Sequence, residues 1–131
     1  MTGTTITIAP RRILIADDGV SSRDLLRSIL ESGGYVVDEA RDGEQVLAMA
    51  GRCVPSVVIL DLQTPRLDGY ATAAALRRMP LLERTPIIAL TPAITQTAPE
   101  QLSRAGFAAY LVKPIGPARL RQCVEKVLKS A

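Results

Sequence analysis

Four short apolar runs in this chain each end on a polar or charged residue. Ile13-Leu14-Ile15-Ala16 stops at Asp17-Asp18, Val57-Val58-Ile59-Leu60 at Asp61, Ile87-Ile88-Ala89-Leu90 at Thr91, and Tyr110-Leu111-Val112 at Lys113. A run that is apolar at every position suits a strand covered on both faces, as in a parallel sheet. Tyr35-Val36-Val37 is a fifth, shorter candidate.

Helical periodicity fills the intervals. Leu25, Leu26, Ile29 and Leu30 form one stripe, with Ser21 or Ser22 predicted as N-cap and Gly33-Gly34 as the stop. Val46, Leu47 and Ala50 form a second, after the Asp42-Gly43 turn. Tyr70, Ala73, Ala74 and Arg77 share a face in a third, which follows Gly69. The fourth is weak: Thr97 and Glu100 have capping-box spacing, but only Leu102 and Ala105 follow on an apolar face. It is expected to be short and comparatively mobile. Leu120, Cys123, Val124 and Val127 mark the fifth, the clearest of all.

The order is therefore β-α five times over, which predicts an α/β fold with right-handed crossovers and helices on both faces of a parallel sheet. A length of 131 residues suits one domain. Residues 1–10 read as a loose leader and residues 11–131 as the domain. No apolar run approaches the roughly 18 residues that span a bilayer, and the N-terminus does not read as a signal peptide. A cytoplasmic protein with no membrane contact is expected. Histidine is absent, which excludes a His-based triad and the usual zinc sites. The net charge is +3, carried mostly by scattered arginines, and with Trp absent there is no stacking platform for nucleic acid. Cys53 and Cys123 sit singly among apolar neighbours and are expected to be buried free thiols.

In an open parallel sheet, ligands bind beyond the carboxyl ends of the strands. Asp17, Asp18, Asp61, Thr91 and Lys113 all follow an apolar run, so three carboxylates, a hydroxyl and an ammonium would converge on one cleft. Carboxylates that close repel unless a cation neutralises them. Mg²⁺ takes one or two carboxylates and completes its shell with water and phosphate oxygens. A lysine holds a carboxylate or phosphoryl oxygen, a threonine donates to one, and an aspartate can form an acyl phosphate. The set reads as a magnesium-dependent aspartyl-phosphorylation site. Taken singly, each residue has a plainer reading, as a turn, a cap or a strand end; it is their joint placement that points to chemistry.

Over about residues 11 to 129 the chain resembles the receiver domain of two-component response regulators. The matching segments are Ile13 to Asp18, Val57 to Gly69 (with Asp61, Pro65 and Asp68), Ile87 to Thr91, and Ala105 to Pro114. The intervals match too: 43 residues from Asp18 to Asp61, 30 from Asp61 to Thr91 and 22 from Thr91 to Lys113. The resemblance implies a three-layer flavodoxin-like fold with strand order 2-1-3-4-5. It implies that Asp61 accepts a phosphoryl group from a phosphohistidine on a histidine kinase or histidine phosphotransfer protein. Asp17, Asp18, Asp61 and the backbone carbonyl of Gln63 would hold Mg²⁺. Thr91 and Lys113 would contact the phosphoryl group. Tyr110 matches an aromatic switch position that, with Thr91, would remodel the surface around helix 4, strand 5 and helix 5 for a downstream protein target. Such a domain assists its own phosphorylation and dephosphorylation but turns over no external metabolite. Gly69 would shape the loop beside the nucleophile or simply start a helix, and Tyr110 could equally be a half-buried edge-strand aromatic.

Three residues depart from the family pattern. Thr64 stands where methionine is commonest, and Ile115 where many members have phenylalanine. Pro92 is sharper: a small residue there usually gives its N–H to the phosphoryl group, and proline has none. The phosphorylated form is therefore expected to be less stabilised, or the switch shifted. Two other readings remain open at this point. One is a pseudo-receiver that binds protein without using phosphate. The other is an aspartate-nucleophile phosphatase, for which the nucleophile follows the wrong strand and a cap domain lacks residues. The last helix runs almost to Ala131, which leaves open a stand-alone regulator or a domain cut from a larger protein such as a hybrid kinase.

Overall fold

In a computed structural model, which describes residues 11–17, 19–63, 68–92 and 99–130, all five apolar runs are strands. These are β1 (Arg12–Ala16), β2 (Val36–Ala40), β3 (Val57–Asp61), β4 (Ile87–Thr91) and β5 (Ala109–Val112). Between and after them run α1 (Val20–Ser32), α2 (Gly43–Arg52), α3 (Gly69–Arg77), α4 (Pro99–Arg104) and α5 (Pro117–Ser130). A 3-10 turn over Pro80–Leu82, which the periodicity did not predict, precedes β4. All strand pairs are parallel, and the sheet order is β2-β1-β3-β4-β5, as the resemblance implied.

The continuous apolar runs are explained by their parity. Ile13, Ile15, Val57, Ile59, Ile88 and Leu90 face one way, into a core shared with Leu26, Ile29 and Leu30 of α1 and Leu120, Val124 and Val127 of α5. Leu14, Ala16, Val58, Leu60, Ile87 and Ala89 face the other, against Val46 of α2, Ala73 and Leu76 of α3 and Leu102 of α4. Each of these strand residues is thus buried whichever way it points, at about 1.5–3 kcal/mol per large side chain. The layers are α1 and α5 below the sheet and α2, α3 and α4 above it.

Several local expectations are corrected. Helix α1 begins earlier than Ser21 or Ser22: Gly19 is the N-cap, its carbonyl accepts from Arg23 N–H at 3.0 Å, and both serines fall within the first turn. Leu25, placed in the α1 stripe, is 56% exposed. It lies about 100° round the helix from the buried line of Leu26, Ile29 and Leu30. In α3 the buried line is Gly69, Thr72, Ala73 and Leu76, and Ala74 is exposed. Cys53 is exposed and Cys123 only half-buried. Cys53 is the C-cap of α2, and Cys123 flanks the buried line of α5 rather than lying on it. Both thiols are free.

The predicted stop at Gly33-Gly34 is a Schellman cap. Tyr35 N–H reaches the Leu30 carbonyl at 3.3 Å and Gly34 N–H the Glu31 carbonyl at 3.0 Å, with Gly34 at φ +92°, which glycine adopts without strain. Tyr35 belongs to this cap, so the strand starts one residue later, at Val36. Asp42 caps α2 by accepting from Gln45 N–H at 2.8 Å, and Asp68 caps α3 by accepting from Ala71 N–H at 2.8 Å. Helix α4 has six residues, with Leu102 buried. The leader at 1–10, Asp18, Thr64, Pro65 and the Thr97 end of the predicted capping box lie outside the described residues.

Candidate functional site

The carboxyl ends of β1, β3, β4 and β5 come together at one end of the sheet. Asp17 follows β1 directly, Asp61 and Thr91 are the last residues of β3 and β4, and Lys113 follows β5. Their register makes them neighbours: Asp61 pairs with Leu90 across β3–β4, and Thr91 with Val112 across β4–β5. Asp17, Asp61 and Thr91 are 2%, 4% and 1% exposed. Three polar side chains this deep at one end of an apolar sheet must be held by partners.

The partner shared by the two carboxylates is Lys113. Its Nζ donates to Asp61 Oδ2 at 2.6 Å and to Asp17 Oδ2 at 3.0 Å. Burial alone would lower the ammonium pKa; the hydrogen bonds and charges of Asp61 and Asp17 outweigh it, and the net shift is upward. The remaining carboxylate oxygens are taken by the turns that follow each strand. Asp17 Oδ1 accepts from Gly19 N–H and Asp61 Oδ1 from Gln63 N–H, both at 2.9 Å. Lys113 is itself tied to β4, since its N–H donates to the Thr91 carbonyl at 2.9 Å. The Lys113–Pro114 peptide bond is cis.

Gly69 lies against the backbone of the nucleophile candidate. A Cβ there would come 2.8 Å from Leu62 Cα and 3.0 Å from the Asp61 carbonyl oxygen. It starts α3, and its missing Cβ permits this close approach.

Of the residues singled out in the sequence, Asp17, Asp61, Thr91 and Lys113 come together at one end of the sheet. Gln63 sits beside Asp61 in the loop. Tyr110 is two residues short of the end of β5, in register with Ala89 and half-buried against the core above the sheet. Pro92 is exposed immediately after Thr91. Ile115 packs against the core below the sheet. Asp18 and Thr64 lie outside the described residues. Among the described residues no three metal-ligating side chains cluster. The donors that are described, Asp17 and Asp61, offer only oxygen. That fits a hard divalent ion such as Mg²⁺ rather than a thiophilic one.

One cavity adjoins the site and another lies against β5. One, of about 400 Å³, opens beside Asp17 and Lys113 and is walled by Leu25, Leu26, Pro92 and Ile115. Leu25 therefore lies on the rim of the site. The other, of about 540 Å³, runs between α4 and α5 past Leu102, Phe107, Tyr110, Arg119 and Cys123.

Sequence reading missed the polar support behind Asp17. Arg23 of α1 donates from Nη1 to the Asp17 main-chain carbonyl at 2.6 Å and from Nε to Glu39 of β2 at 3.2 Å. No local pattern announces a pairing across 16 residues.

Residues 13–125 match the family model of the response regulator receiver domain. The chain belongs to that family. It is a signalling domain of two-component systems. The receiver is 36% identical over 129 residues to the transcriptional regulatory protein PdtaR of Mycobacterium tuberculosis, covering 95% of this chain and 62% of PdtaR. It is similar in structure to the chemotaxis response regulator CheY4 of Vibrio cholerae, with TM-score 0.86, 29% identity and coverage of 91% and 99%. It is also similar to the receiver domain of the sensor histidine kinase PA1611 of Pseudomonas aeruginosa, with TM-score 0.85, 31% identity and coverage of 92% and 99%. In that structure a magnesium ion is coordinated in the active-site cleft. This receiver spans 31% to 62% of the length of several curated relatives, while others match nearly end to end. Among the described residues no helix is long and apolar enough to cross a membrane.

Proposed function

We propose that this receiver accepts a phosphoryl group on Asp61 from a phosphohistidine of a histidine kinase or phosphotransfer protein. The observation that carries the reading is the Lys113 ammonium, 2.6 Å from Asp61 and 3.0 Å from Asp17, at the end of a sheet that buries both carboxylates. In the transfer, an Asp61 carboxylate oxygen attacks phosphorus as the P–N bond breaks, and the departing imidazole takes up a proton. An acyl phosphate remains on Asp61 until water attacks phosphorus and releases inorganic phosphate. Lys113 holds the carboxylate in place beforehand, and its ammonium offsets charge on the transferred group. Thr91, one strand over, supplies a hydroxyl for a phosphoryl oxygen.

The oxygen donors suit Mg²⁺, for which Asp17, Asp18, Asp61 and the main-chain carbonyl of Gln63 are the proposed ligands. The ion, when bound, neutralises charge on the phosphoryl oxygens. The apolar walls formed by Leu25, Pro92 and Ile115 suit side chains that flank the donor histidine. On the output side, Thr91 and Tyr110 are proposed as the switch pair. The cavity bounded by Tyr110, Leu102 and Arg119 is the surface their movement would reshape for a protein target. A cytoplasmic location, with no contact to nucleic acid or membrane through this segment, belongs to the same reading.

The test is chemical. Borohydride reduces an acyl phosphate to an alcohol, so reduction after incubation with phosphoramidate, a P–N donor, should convert Asp61 to homoserine in the peptide map. Pro92, which lacks an N–H beside the site, favours the alternative pseudo-receiver. Homoserine at no position in a folded protein would support that alternative.

A further inference from the structure

Asp17 has three oxygens, and each is held from a different direction. Its carboxylate is gripped by Gly19 N–H and by Lys113, and its main-chain carbonyl by Arg23 Nη1 at 2.6 Å. That carbonyl belongs to the peptide joining Asp17 to Asp18. Beyond Ala16 the β1 ladder has ended, and Arg23 of α1 holds the Asp17 carbonyl in its place.

Arg23 is fixed in turn. Its side chain is 11% exposed, and its Nε donates to Glu39 Oε1 at 3.2 Å. The other Glu39 oxygen accepts from Arg27 Nη1, whose Nη2 donates to the Val37 carbonyl at 3.2 Å. A guanidinium that donates from both Nε and Nη1 has little rotamer freedom to lose, and its fork is pre-organised. The carboxylate of Glu39 also offsets a cation that would otherwise stand uncompensated close to a metal site.

Building on the receiver reading above, we infer that Arg23, anchored by Glu39, is a positioning residue that holds the Asp17 main chain in place and thereby sets Mg²⁺ affinity without touching the ion. Groups that orient metal ligands from behind typically change affinity about 10–100-fold when removed. Arg23 acts on the main chain of Asp17 rather than on its ligating side chain, so the low end, about tenfold, is expected.

The test is Mg²⁺ titration by calorimetry on the full chain, with thermal unfolding of the metal-free protein alongside. Arg23→Gln should weaken Mg²⁺ binding about tenfold, and Arg23→Lys, which keeps a charged donor for the carbonyl, should recover part of it. Arg27→Gln removes the neighbouring link to Glu39 and should lower the unfolding midpoint while leaving Mg²⁺ affinity near wild type. A general loosening of α1 against β2 would instead move all three alike. Should Arg23→Gln fail to fold, Glu39→Ala takes its place and should weaken binding at least about twofold. Wild-type affinity in a folded Arg23→Gln or Glu39→Ala protein overturns the inference. Failure of the wild-type protein to bind Mg²⁺ overturns the receiver chemistry itself, and the two failures are thereby distinct.

Discussion

Lys113 and Asp61, separated by 52 residues in sequence, meet through a 2.6 Å contact between ammonium and carboxylate at the top of the sheet. The same ammonium reaches Asp17 at 3.0 Å, so one cation compensates two carboxylates that are almost fully buried.

Removing that cation leaves the two carboxylates facing each other. Lys113→Met should destabilise the metal-free protein at neutral pH by about 3 kcal/mol, the low end for a broken buried pair because the lysine side chain is 30% exposed. The loss should shrink as the pH falls, since uncompensated carboxylates take up protons. Urea unfolding at neutral and acidic pH measures both; a deficit that is absent, or independent of pH, would count against it.

On the alkaline side the sign is set by the raised Lys113 pKa. A lysine whose pKa is higher folded than unfolded stabilises fully below the unfolded value, about 10.4, and loses that contribution as the pH rises through the folded value. The stability difference between wild type and Lys113→Met should hold to about pH 10 and narrow above it. Denaturation from pH 9 to 12 tests this, because the other titrating groups are common to both proteins. A constant difference across that range contradicts it.

Gly69→Ala should disturb the backbone at Asp61 and Leu62, where β3 ends. A Cβ 2.8 Å from Leu62 Cα meets backbone, not a flexible side chain, so the chain must move, at about 1–3 kcal/mol. A lower melting temperature together with slower phosphorylation is the expected pair of results. Unchanged values for both would mean that the contact relaxes freely.

Pro92 gives no N–H to a phosphoryl group on Asp61. Pro92→Ala restores a donor, and a hydrogen bond to a charged group is worth about 1.5–3 kcal/mol. The acyl phosphate should then persist at least about tenfold longer. Loss of phosphate followed by mass spectrometry reads the lifetime, and an unchanged lifetime would show that Pro92 withholds nothing.

The sheet was legible because its strands covered on both faces are apolar run by run, and each of the four longest runs became a strand, whereas β2, with Asp38 and Glu39, gave only a short apolar start. The site was legible for a related reason: the residues at the carboxyl ends of those runs are neighbours in any open parallel sheet. What escaped depended on contacts without local pattern. Leu25 satisfied helical spacing yet faces outward, because the buried arc of α1 is narrower than its apolar arc. Cys53 looked buried by composition, but α2 ends there and its flank is open. The link from Glu39 through Arg23 to Asp17 joins a strand, a helix and a loop. Arg77 similarly donates to the carbonyls of Leu82, Glu83, Thr85 and Gly106 from the end of α3, with its pKa lowered by burial. Neither arginine differs in sequence from those that lie free on a surface.

The phosphoacceptor role of Asp61 is tested most directly by intact mass. Wild type and Asp61→Asn are incubated with a small-molecule phosphodonor, with and without Mg²⁺. The expected result is a gain of a single phosphoryl group in wild type that requires Mg²⁺ and is absent from Asp61→Asn. No gain in folded wild-type protein, or an equal gain in Asp61→Asn, would contradict it.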